Sequence, residues 1–222
     1  MIDADGRPLH LVWNYDRAEL VADGVVHAVG IALALVGGIV LVFLAALWSG
    51  PLQILAVAIY AAGLVALWSS SAAYNLWPIS RTKWLLRRVD HAFIFVLIAA
   101  TYTPFISRFP FGLPSAALLV GVWTVALVGV VLKVLLPGRY DRLSIALCLL
   151  LGGSGMLVYE TVASALPAST IFLMVSGGLV YAVGVIFHLW ESLRFQNAVW
   201  HSFVLVASAL FYSAVLDGVV LA

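Results

Sequence analysis

The feature that most constrains this chain is a long stretch without charge, since no Asp, Glu, Lys or Arg occurs between Gly24 and Ser80. A helix needs about 20 apolar residues to cross the hydrocarbon core of a bilayer. The stretch is therefore long enough for two membrane helices. The turn between them is predicted at Ser49-Gly50-Pro51, where glycine and proline interrupt the apolar run.

The composition of the whole chain agrees with this interpretation. Of its 222 residues, 64% are hydrophobic and 9% are charged, whereas about 25% of the residues of a soluble domain are charged. The formal net charge of +1 argues against nucleic acid as a partner, because phosphate backbones are bound by clusters of basic residues. The single cysteine, Cys148, excludes an intrachain disulfide.

Charged residues also separate the apolar runs in the rest of the chain, and these runs predict five further helices. The seven predicted membrane helices lie near 18–48, 53–77, 88–107, 114–136, 142–159, 168–190 and 195–220. The expected fold is all-α, a polytopic bundle of seven transmembrane helices that forms a single domain over residues 1–222.

The basic residues predict an orientation, because cytoplasmic loops of membrane proteins are enriched in Lys and Arg. With a cytoplasmic N-terminus, only Arg108 falls on the outer side. The other basic residues fall on the cytoplasmic side: Arg7, Arg17, Arg81, Lys83, Arg87, Arg88, Lys133, Arg139, Arg142 and Arg194. The C-terminus is then outside, and the chain is expected in the plasma membrane, which in a bacterium is the inner membrane.

Polar residues inside membrane helices are costly and are therefore candidates for function. With this orientation, four helices carry such residues at a similar depth near their cytoplasmic ends. They are Asp23 and His27 on the first helix, Ser71 and Asn75 on the second, Asp90 and His91 on the third, and Asn197 and His201 on the seventh. A shared polar pocket explains these four pairs more simply than four unrelated local roles.

Several of these residues also have a purely structural interpretation. Glu19 and Asp23 suit a solvated first turn, where acids complement the positive end of the helix dipole. Ser71 and Asn75 could each bond to a neighbouring helix, and Asp90 could cap the third helix or pair with an arginine. Two further histidines are expected in or near loops and are assigned no role: His10 and His188.

Three segments of the sequence match known motifs. Arg88-Val-Asp90-His91-Ala-Phe-Ile, followed by Ile98-Ala-Ala-Thr101-Tyr102-Thr103-Pro104-Phe105, resembles the third-helix signature of hemolysin III-like proteins. These proteins are the bacterial branch of the progestin and adipoQ receptor superfamily. The segments from Glu19 to Gly30 and from Trp200 to Ser208 resemble the first and seventh helices of that family. The resemblance runs from about residue 15 to the C-terminus, and it implies seven helices with a cytoplasmic N-terminus.

The resemblance also implies a zinc site near the cytoplasmic face. In the family, three histidines bind the metal, one in a Ser-x-x-x-His motif on helix 2 and two in a His-x-x-x-His motif on helix 7. An aspartate on helix 3 holds the zinc-bound water. The matching positions here are Ser71, Asn75, Asp90, Asn197 and His201, with Phe211 where a further histidine of helix 7 often lies. Asparagine therefore replaces histidine at two of the three ligand positions.

This double replacement matters because a carboxamide oxygen is a poor ligand for zinc, which favours imidazole, thiolate or carboxylate. His201 alone would not hold zinc tightly, so no tightly bound cofactor is expected. Asn75 and Asn197 could instead form a hydrogen bond with each other. Zinc binding could also be rescued by other donors at a similar depth: Asp23, His27, Asp90 and His91.

Three functions are compatible with the resemblance. The first is a lipid-binding or lipid-responsive membrane protein, with membrane lipids as partners, whose pocket is lined by Asp23, His27, Asn75, His91 and Asn197. The second is a zinc-dependent hydrolase of lipid amides or esters, in which Asp90 positions the metal-bound water and Ser71 lines the site. The third is membrane permeabilisation, which the family name suggests, although no detachable amphipathic helix is present. The residues themselves identify neither an enzymatic activity nor a protein partner.

Overall fold

The computed structural model describes residues 15–110, 112–136, 138 and 140–222, and this part of the chain contains helices and no strands. Seven of its helices are long and apolar enough to cross a membrane. We number them α1 to α7 in chain order: Arg17–Trp48, Pro51–Leu76, Arg81–Ile106, Leu113–Leu135, Asp141–Ala165, Ala168–Leu189 and Gln196–Val220. The predicted all-α fold with seven membrane helices is confirmed.

The odd-numbered helices α1, α3, α5 and α7 begin at one end of the bundle, which we call the polar end. Arg194, just before α7, lies 3.3 Å from Asp16, the residue that caps α1. Asp141, the first residue of α5, contacts Arg87 near the start of α3 at 2.8 Å. The first ion pair joins the starts of α1 and α7, and the second joins the starts of α3 and α5.

The basic residues are concentrated at this end of the bundle. Among the described residues, only Arg108, just after α3, lies at the opposite end. Three residues that entered the sequence interpretation lie outside the described residues: Arg7, His10 and Arg139. That the polar end faces the cytoplasm remains a prediction from charge.

The prediction that the third helix starts near residue 88 is wrong, because α3 begins at Arg81. The Ser80 hydroxyl oxygen accepts a hydrogen bond from the Lys83 amide at 3.2 Å and caps the helix. The Lys83 ammonium donates to three carbonyl oxygens at the end of α2, those of Tyr74, Asn75 and Trp77. These bonds satisfy carbonyls that a helix end leaves unpaired. The basic segment 81–88 is therefore helical, and Asp90 does not cap α3.

The prediction of a short fifth helix at 142–159 is also wrong, because α5 continues to Ala165. It is α-helical over Asp141–Gly153, forms a 3₁₀ turn over Ser154–Val158, and is α-helical again over Tyr159–Ala165. Glycines are poor helix formers, and the 3₁₀ turn follows two of them. The Tyr102 phenol from α3 donates to the Leu151 carbonyl at 2.9 Å and accepts from the Gly155 amide at 2.8 Å. A neighbouring helix thus satisfies the backbone groups that the irregular turn frees.

The bundle has a tightly packed side, formed by α1, α2, α3 and α7, and a loosely packed side around α5. On the tight side, Gly30 lies directly against the Trp68 ring, and a Cβ atom at this position would come within 2.3 Å of it. Few residues of α5 are buried, namely Ser144, Leu151 and Val162. The polar residues of the predicted site all belong to helices of the tight side.

Candidate functional site

The structure brings the eight predicted site residues together at the polar end. Five of them form one hydrogen-bonded network, which we call the polar cluster: Asp23, His27, Ser71, Asn75 and His201. Asn197 lies at the edge of this cluster, while Asp90 and His91 face it across a small cavity. Asp23 is only 2% exposed, so its interpretation as part of a solvated first turn is wrong.

Asp23 joins the first helix to the last. Its Oδ1 lies 2.6 Å from Nδ1 of His201, which is on α7. A carboxylate only accepts hydrogen bonds, so this contact places the imidazole proton of His201 on Nδ1. Such a charge-assisted bond is shorter and stronger than a neutral one. The Nε2 atom of His201 is left as an acceptor.

His27 has the same tautomer as His201, but its Nδ1 donates to a backbone carbonyl instead of a carboxylate. Its Nδ1 lies 2.8 Å from the backbone carbonyl oxygen of Asp23, one turn earlier in α1. A carbonyl oxygen also only accepts, so the proton of His27 is on Nδ1 and Nε2 is an acceptor. The ring is fully buried, and it packs edge-on against His201 with 4.4 Å between ring centroids.

Ser71 lies at the centre of the polar cluster, because both imidazole Nε2 atoms point at its hydroxyl. The distances from the Ser71 Oγ are 3.1 Å to His27 and 3.3 Å to His201. The Asn75 amide donates to the same oxygen at 3.2 Å and to the Ser71 carbonyl at 3.0 Å. A hydroxyl has only one proton, so it donates to one imidazole at a time.

The two asparagines approach each other at the edge of the cluster. Nδ2 of Asn197 lies 3.5 Å from Oδ1 of Asn75, at the outer limit of a hydrogen bond. Tyr15, just before α1, covers Asn197, and burial raises the pKa of the Tyr15 phenol above its usual value. The amides therefore close the cluster towards the polar end.

The start of α7, which carries Asn197 and His201, is held by the start of α1. The residue before α7, Phe195, has a φ of 60°, a left-handed conformation that is uncommon for any residue except glycine. Its amide donates to the Glu19 carboxylate at 3.0 Å. Glu19 and Asp16 also form a reciprocal capping box, and the Glu19 amide lowers the pKa of Asp16. The sequence-based placement of Glu19 in a first turn is therefore correct.

Asp90 and His91 form a second polar pair on α3, directly beside Ser71 of the polar cluster. Oδ2 of Asp90 lies 3.2 Å from Nδ1 of His91, although the two groups are not aligned for a hydrogen bond. Together with Ser71 and His201, they line a cavity of about 40 Å³. This volume accommodates a small polar group such as a water molecule.

A much larger cavity, of about 700 Å³, lies beside the small one and extends along α3, α5 and α6. Most of its lining is apolar, including Phe105, Met174 and Val175. The two cavities share five lining residues, which are His91, Ile94, Tyr181, His188 and Trp200. The large apolar space therefore reaches the polar cluster through a boundary that contains two histidines.

His188 is a functional candidate that the sequence interpretation missed. It lies near a loop as expected, in the last turn of α6, but it was assigned no role although it lines both cavities. Its ring packs against Trp200 with 4.9 Å between ring centroids. The spacing of polar residues could not reveal it, because His188 has no polar neighbour one turn away on its own helix.

An ion-pair group near the large cavity, with buried cations and a partly exposed carboxylate, was also missed. The Asp141 carboxylate accepts from Lys133 at 2.6 Å and from Arg87 at 2.8 Å, so it links α3, α4 and α5. Lys133 also lines the large cavity. Two cations and one carboxylate leave a positive charge beside the polar end of an apolar space.

The position at which the family binds zinc does not suit zinc in this chain. Asn75 donates to Ser71, and its Oδ1 faces the amide of Asn197. Carboxamides are poor zinc ligands, so Asn75 and Asn197 do not complete a zinc site with His201. Within the described residues, a different group of buried donors could hold a metal ion: Asp23, His27 and His201, whose ligand atoms lie within 4.8 Å of one another.

The fold and the site together define an integral membrane protein with seven helices and a polar cluster at one end of the bundle. A family model described as haemolysin-III related matches residues 18–212. The chain belongs to this family, the bacterial branch of the progestin and adipoQ receptor superfamily.

Curated relatives cover most of the chain. The hemolysin-3 homolog of Bacillus subtilis is 33% identical over 89% of this chain and 93% of its own length. Hemolysin-3 of Bacillus cereus is 30% identical over 89% of this chain and 90% of its own length. The human monocyte to macrophage differentiation factor is 30% identical over 71% of this chain and 67% of its own length. No solved structure matches the chain.

Proposed function

We propose that this protein binds a single-chain lipid inside the bundle, with the acyl chain in the large cavity and the polar head towards His91 and His188. The observation that carries the proposal is that an apolar cavity of about 700 Å³ shares five lining residues with the small cavity at the polar cluster. Small-molecule sites have volumes of about 300–1,000 Å³, with mostly apolar walls and a few polar groups that fix orientation.

The polar groups of the cavity favour an amphiphilic ligand over a plain hydrocarbon. Lys133 and the two histidines lie at its polar end. An amphiphile matches this arrangement, with its head at these residues and its chain along the apolar walls.

Two glycines provide a matched test of this proposal. Gly178 on α6 lines the large cavity, and a Cβ atom there would meet open space. Gly121 on α4 is similarly exposed and unobstructed but lies away from the cavity. Gly178→Leu should fill part of the cavity, while Gly121→Leu makes the same chemical change elsewhere.

The experiment uses purified protein in nanodiscs and a palmitic acid analogue that carries a photoreactive diazirine in its chain. Cross-linking should saturate in the wild type and map to cavity residues such as Met174 and Cys148. We expect Gly178→Leu to reduce saturable cross-linking at least about 10-fold, since a filled cavity excludes the chain, whereas Gly121→Leu should match the wild type. Equal cross-linking in both variants, or cross-links only on outward-facing residues, would contradict the proposal.

Metal-dependent hydrolysis is a second candidate function, and the donor group of Asp23, His27 and His201 favours it. Two imidazoles and one carboxylate are a donor set that zinc uses in catalytic sites. A bound zinc ion would supply an activated water for attack on an amide or ester carbonyl. In that case, Asp90 would face the water from across the small cavity, and Ser71 would line the site.

Elemental analysis distinguishes the two candidates. The wild type is compared with an Asn75→His, Asn197→His double variant, which restores the family's three histidines. Zinc in the variant alone would support loss of the family site in this chain. Stoichiometric zinc in both proteins, lost from the wild type on His27→Ala substitution, would support metal binding by the other donor group.

We also propose that the polar end faces the cytoplasm and that the protein resides in the plasma membrane. The support is the concentration of Lys and Arg at the polar end, with Arg108 at the other. Alkaline phosphatase fused after Ala222 should be active in a bacterial host, because that enzyme folds only outside the cytoplasm. A green fluorescent protein fused at the same point should remain dark, and the reverse pattern would overturn the orientation.

A further inference from the structure

The polar cluster has the geometry of a nucleophilic serine site, and we propose that Ser71, His201 and Asp23 carry out metal-independent acyl transfer. The Ser71 Oγ lies 3.3 Å from Nε2 of His201, whose Nδ1 lies 2.6 Å from the Asp23 carboxylate. Serine, imidazole and carboxylate in this order form the arrangement that activates a hydroxyl in serine hydrolases. The three residues come from α2, α7 and α1, so their relation is visible only in the folded bundle.

The protonation states required by this chemistry follow from the hydrogen bonds. The proton of His201 is on Nδ1, because its partner there is a carboxylate, and Nε2 is therefore free to accept the serine proton. When it does so, the resulting imidazolium is stabilised by the negative charge of Asp23. His27 also presents Nε2 to Ser71, but its Nδ1 donates to a neutral carbonyl. His201 is therefore the base, because only its Nδ1 donates to a carboxylate that can stabilise the imidazolium.

Asn75, at a position where the family has a zinc ligand, holds the serine in place. Its Nδ2 donates to the Ser71 Oγ at 3.2 Å and to the Ser71 carbonyl at 3.0 Å. An amide suits this task because it remains neutral and donates at any pH. The replacement that removes a zinc ligand thus supplies a residue that positions the nucleophile.

The position of the cavities identifies the substrate class, and this step rests on the proposed lipid-binding function. Ser71 and His201 line the small cavity, which shares five lining residues with the large apolar cavity. A lipid whose chain occupies the large cavity presents its head to the small one. The substrate class is therefore a single-chain carboxylic ester, with the acyl chain in the large cavity and the ester carbonyl at Ser71.

The reaction balances with water as the only co-reactant. The Ser71 oxygen forms a bond to the ester carbonyl carbon while its proton moves to Nε2 of His201. The bond from that carbon to the alkoxy oxygen then breaks, and the leaving alcohol takes the proton from His201. Water attacks the acyl-serine, gives a proton to His201, and releases the carboxylic acid as Ser71 recovers its proton.

The experiment uses the full chain purified in detergent and two fluorophosphonate probes, one with a hexadecyl chain and one with an ethyl chain. Both should form a covalent adduct on Ser71, located by peptide mass spectrometry, and a chelator should not change the rate. Ser71→Ala should abolish the adduct. Ser70→Ala is the matched control and should leave it unchanged, because Ser70 is also buried but donates only to the Leu67 carbonyl in its own helix.

The base and the positioning residue have separate readouts. We expect His201→Gln to slow labelling about 100-fold or more, the usual contribution of a general base. Asp23→Asn should slow labelling and also change the ¹⁵N spectrum of His201, since the wild type should show a proton fixed on Nδ1. An unchanged spectrum in Asp23→Asn would contradict the positioning role. A variant that is not monodisperse is not compared, because a misfolded protein gives no information about the site. The adduct on Ser71 of the wild type then tests the site without any substitution.

Failure of this proposal can be told apart from failure of the lipid-binding proposal. In Gly178→Leu, a filled cavity should block the hexadecyl probe while the ethyl probe still labels Ser71. If neither probe labels Ser71 in wild-type protein that still cross-links the palmitic acid analogue, the acyl-transfer proposal is overturned and lipid binding stands. Labelling that a chelator abolishes would also overturn it, because the reaction would then depend on a metal.

Discussion

The tight side and the loose side of the bundle differ in how closely their helices pack and in how polar their interiors are. On the tight side, α1, α2, α3 and α7 bury carboxylate and imidazole groups in close contact, and the Asp23 carboxylate lies 2.6 Å from His201. On the loose side, α5 packs sparsely and leaves a cavity of about 700 Å³ with mostly apolar walls. The contrast indicates that helices must pack closely to hold polar side chains in a fixed geometry. Loose packing instead leaves space that an acyl chain could occupy.

The largest expected loss of stability comes from removing the Asp23 carboxylate on the tight side. Asp23→Ala leaves His201 without its carboxylate partner in a buried site, and removing one member of a buried pair costs about 3–5 kcal/mol. Thermal unfolding in detergent should show this loss as a clear drop in Tm. Glu160→Ala, at an exposed position of α5, serves as the control and should leave Tm almost unchanged. Similar Tm values for both variants would mean that the Asp23 contact is not stabilising.

A second comparison uses Gly30 on the tight side and Gly121, an exposed glycine of α4 that lies outside the tight side. In Gly30→Ala, the new methyl group would come within 2.3 Å of the Trp68 ring, and overpacking of this kind costs about 1–3 kcal/mol. In Gly121→Ala, the methyl group meets open space, and the gain in helix propensity is about 0.5–1 kcal/mol. Denaturant titrations should therefore shift in opposite directions. Shifts of the same sign would show that packing at Gly30 is not as tight as described.

A third prediction concerns the irregular turn of α5. Tyr102→Phe removes the hydroxyl that bonds to Leu151 and Gly155, and a buried backbone group left unpaired costs roughly 1–3 kcal/mol. We expect faster amide hydrogen exchange over 151–159, while exchange over α1 stays the same. If exchange in α5 does not change, another contact must hold the turn in place.

The smallest effect is expected at the exposed cap of α1. The Glu19 amide lowers the pKa of Asp16, so the stabilisation by this carboxylate is present above its unfolded pKa and is lost as pH falls through the folded pKa. Asp16→Ala should lower Tm slightly at pH 7 and not at all in strong acid. Asp16→Asn should keep the cap, since asparagine caps helices as well as aspartate does, and its Tm should lack this acid dependence. A pH-independent loss in Asp16→Ala would mean that the charge is irrelevant.

Much of the fold could be predicted from the sequence, because membrane helices follow from apolar length alone. The uncharged stretch from Gly24 to Ser80 yields two helices whose bounds agree with α1 and α2 within two residues. The start of α3 could not be predicted this way, since a run with four basic residues looks like a loop. Only the folded structure shows that the Lys83 ammonium donates hydrogen bonds to carbonyl oxygens at the end of α2.

The level of the site residues along the bundle could be predicted from the sequence, but their contacts with one another could not. Helix direction and position along each helix placed Asp23, Ser71 and His201 at one level, and the structure joins them in one network. The rotation of each helix decides which side chains touch, and rotation depends on packing between helices that are distant in sequence. For this reason His188 and the pairing of Lys133 with Asp141 were missed.

The bond between Asp23 and His201 also has a consequence for how the chain is assembled. Asp23 is on α1 and His201 is on α7, with five membrane helices between them along the chain. Until α7 is inserted, Asp23 lacks its imidazole partner at membrane depth, where an unpaired carboxylate is costly. The polar cluster is therefore complete only after α7 has packed against α1.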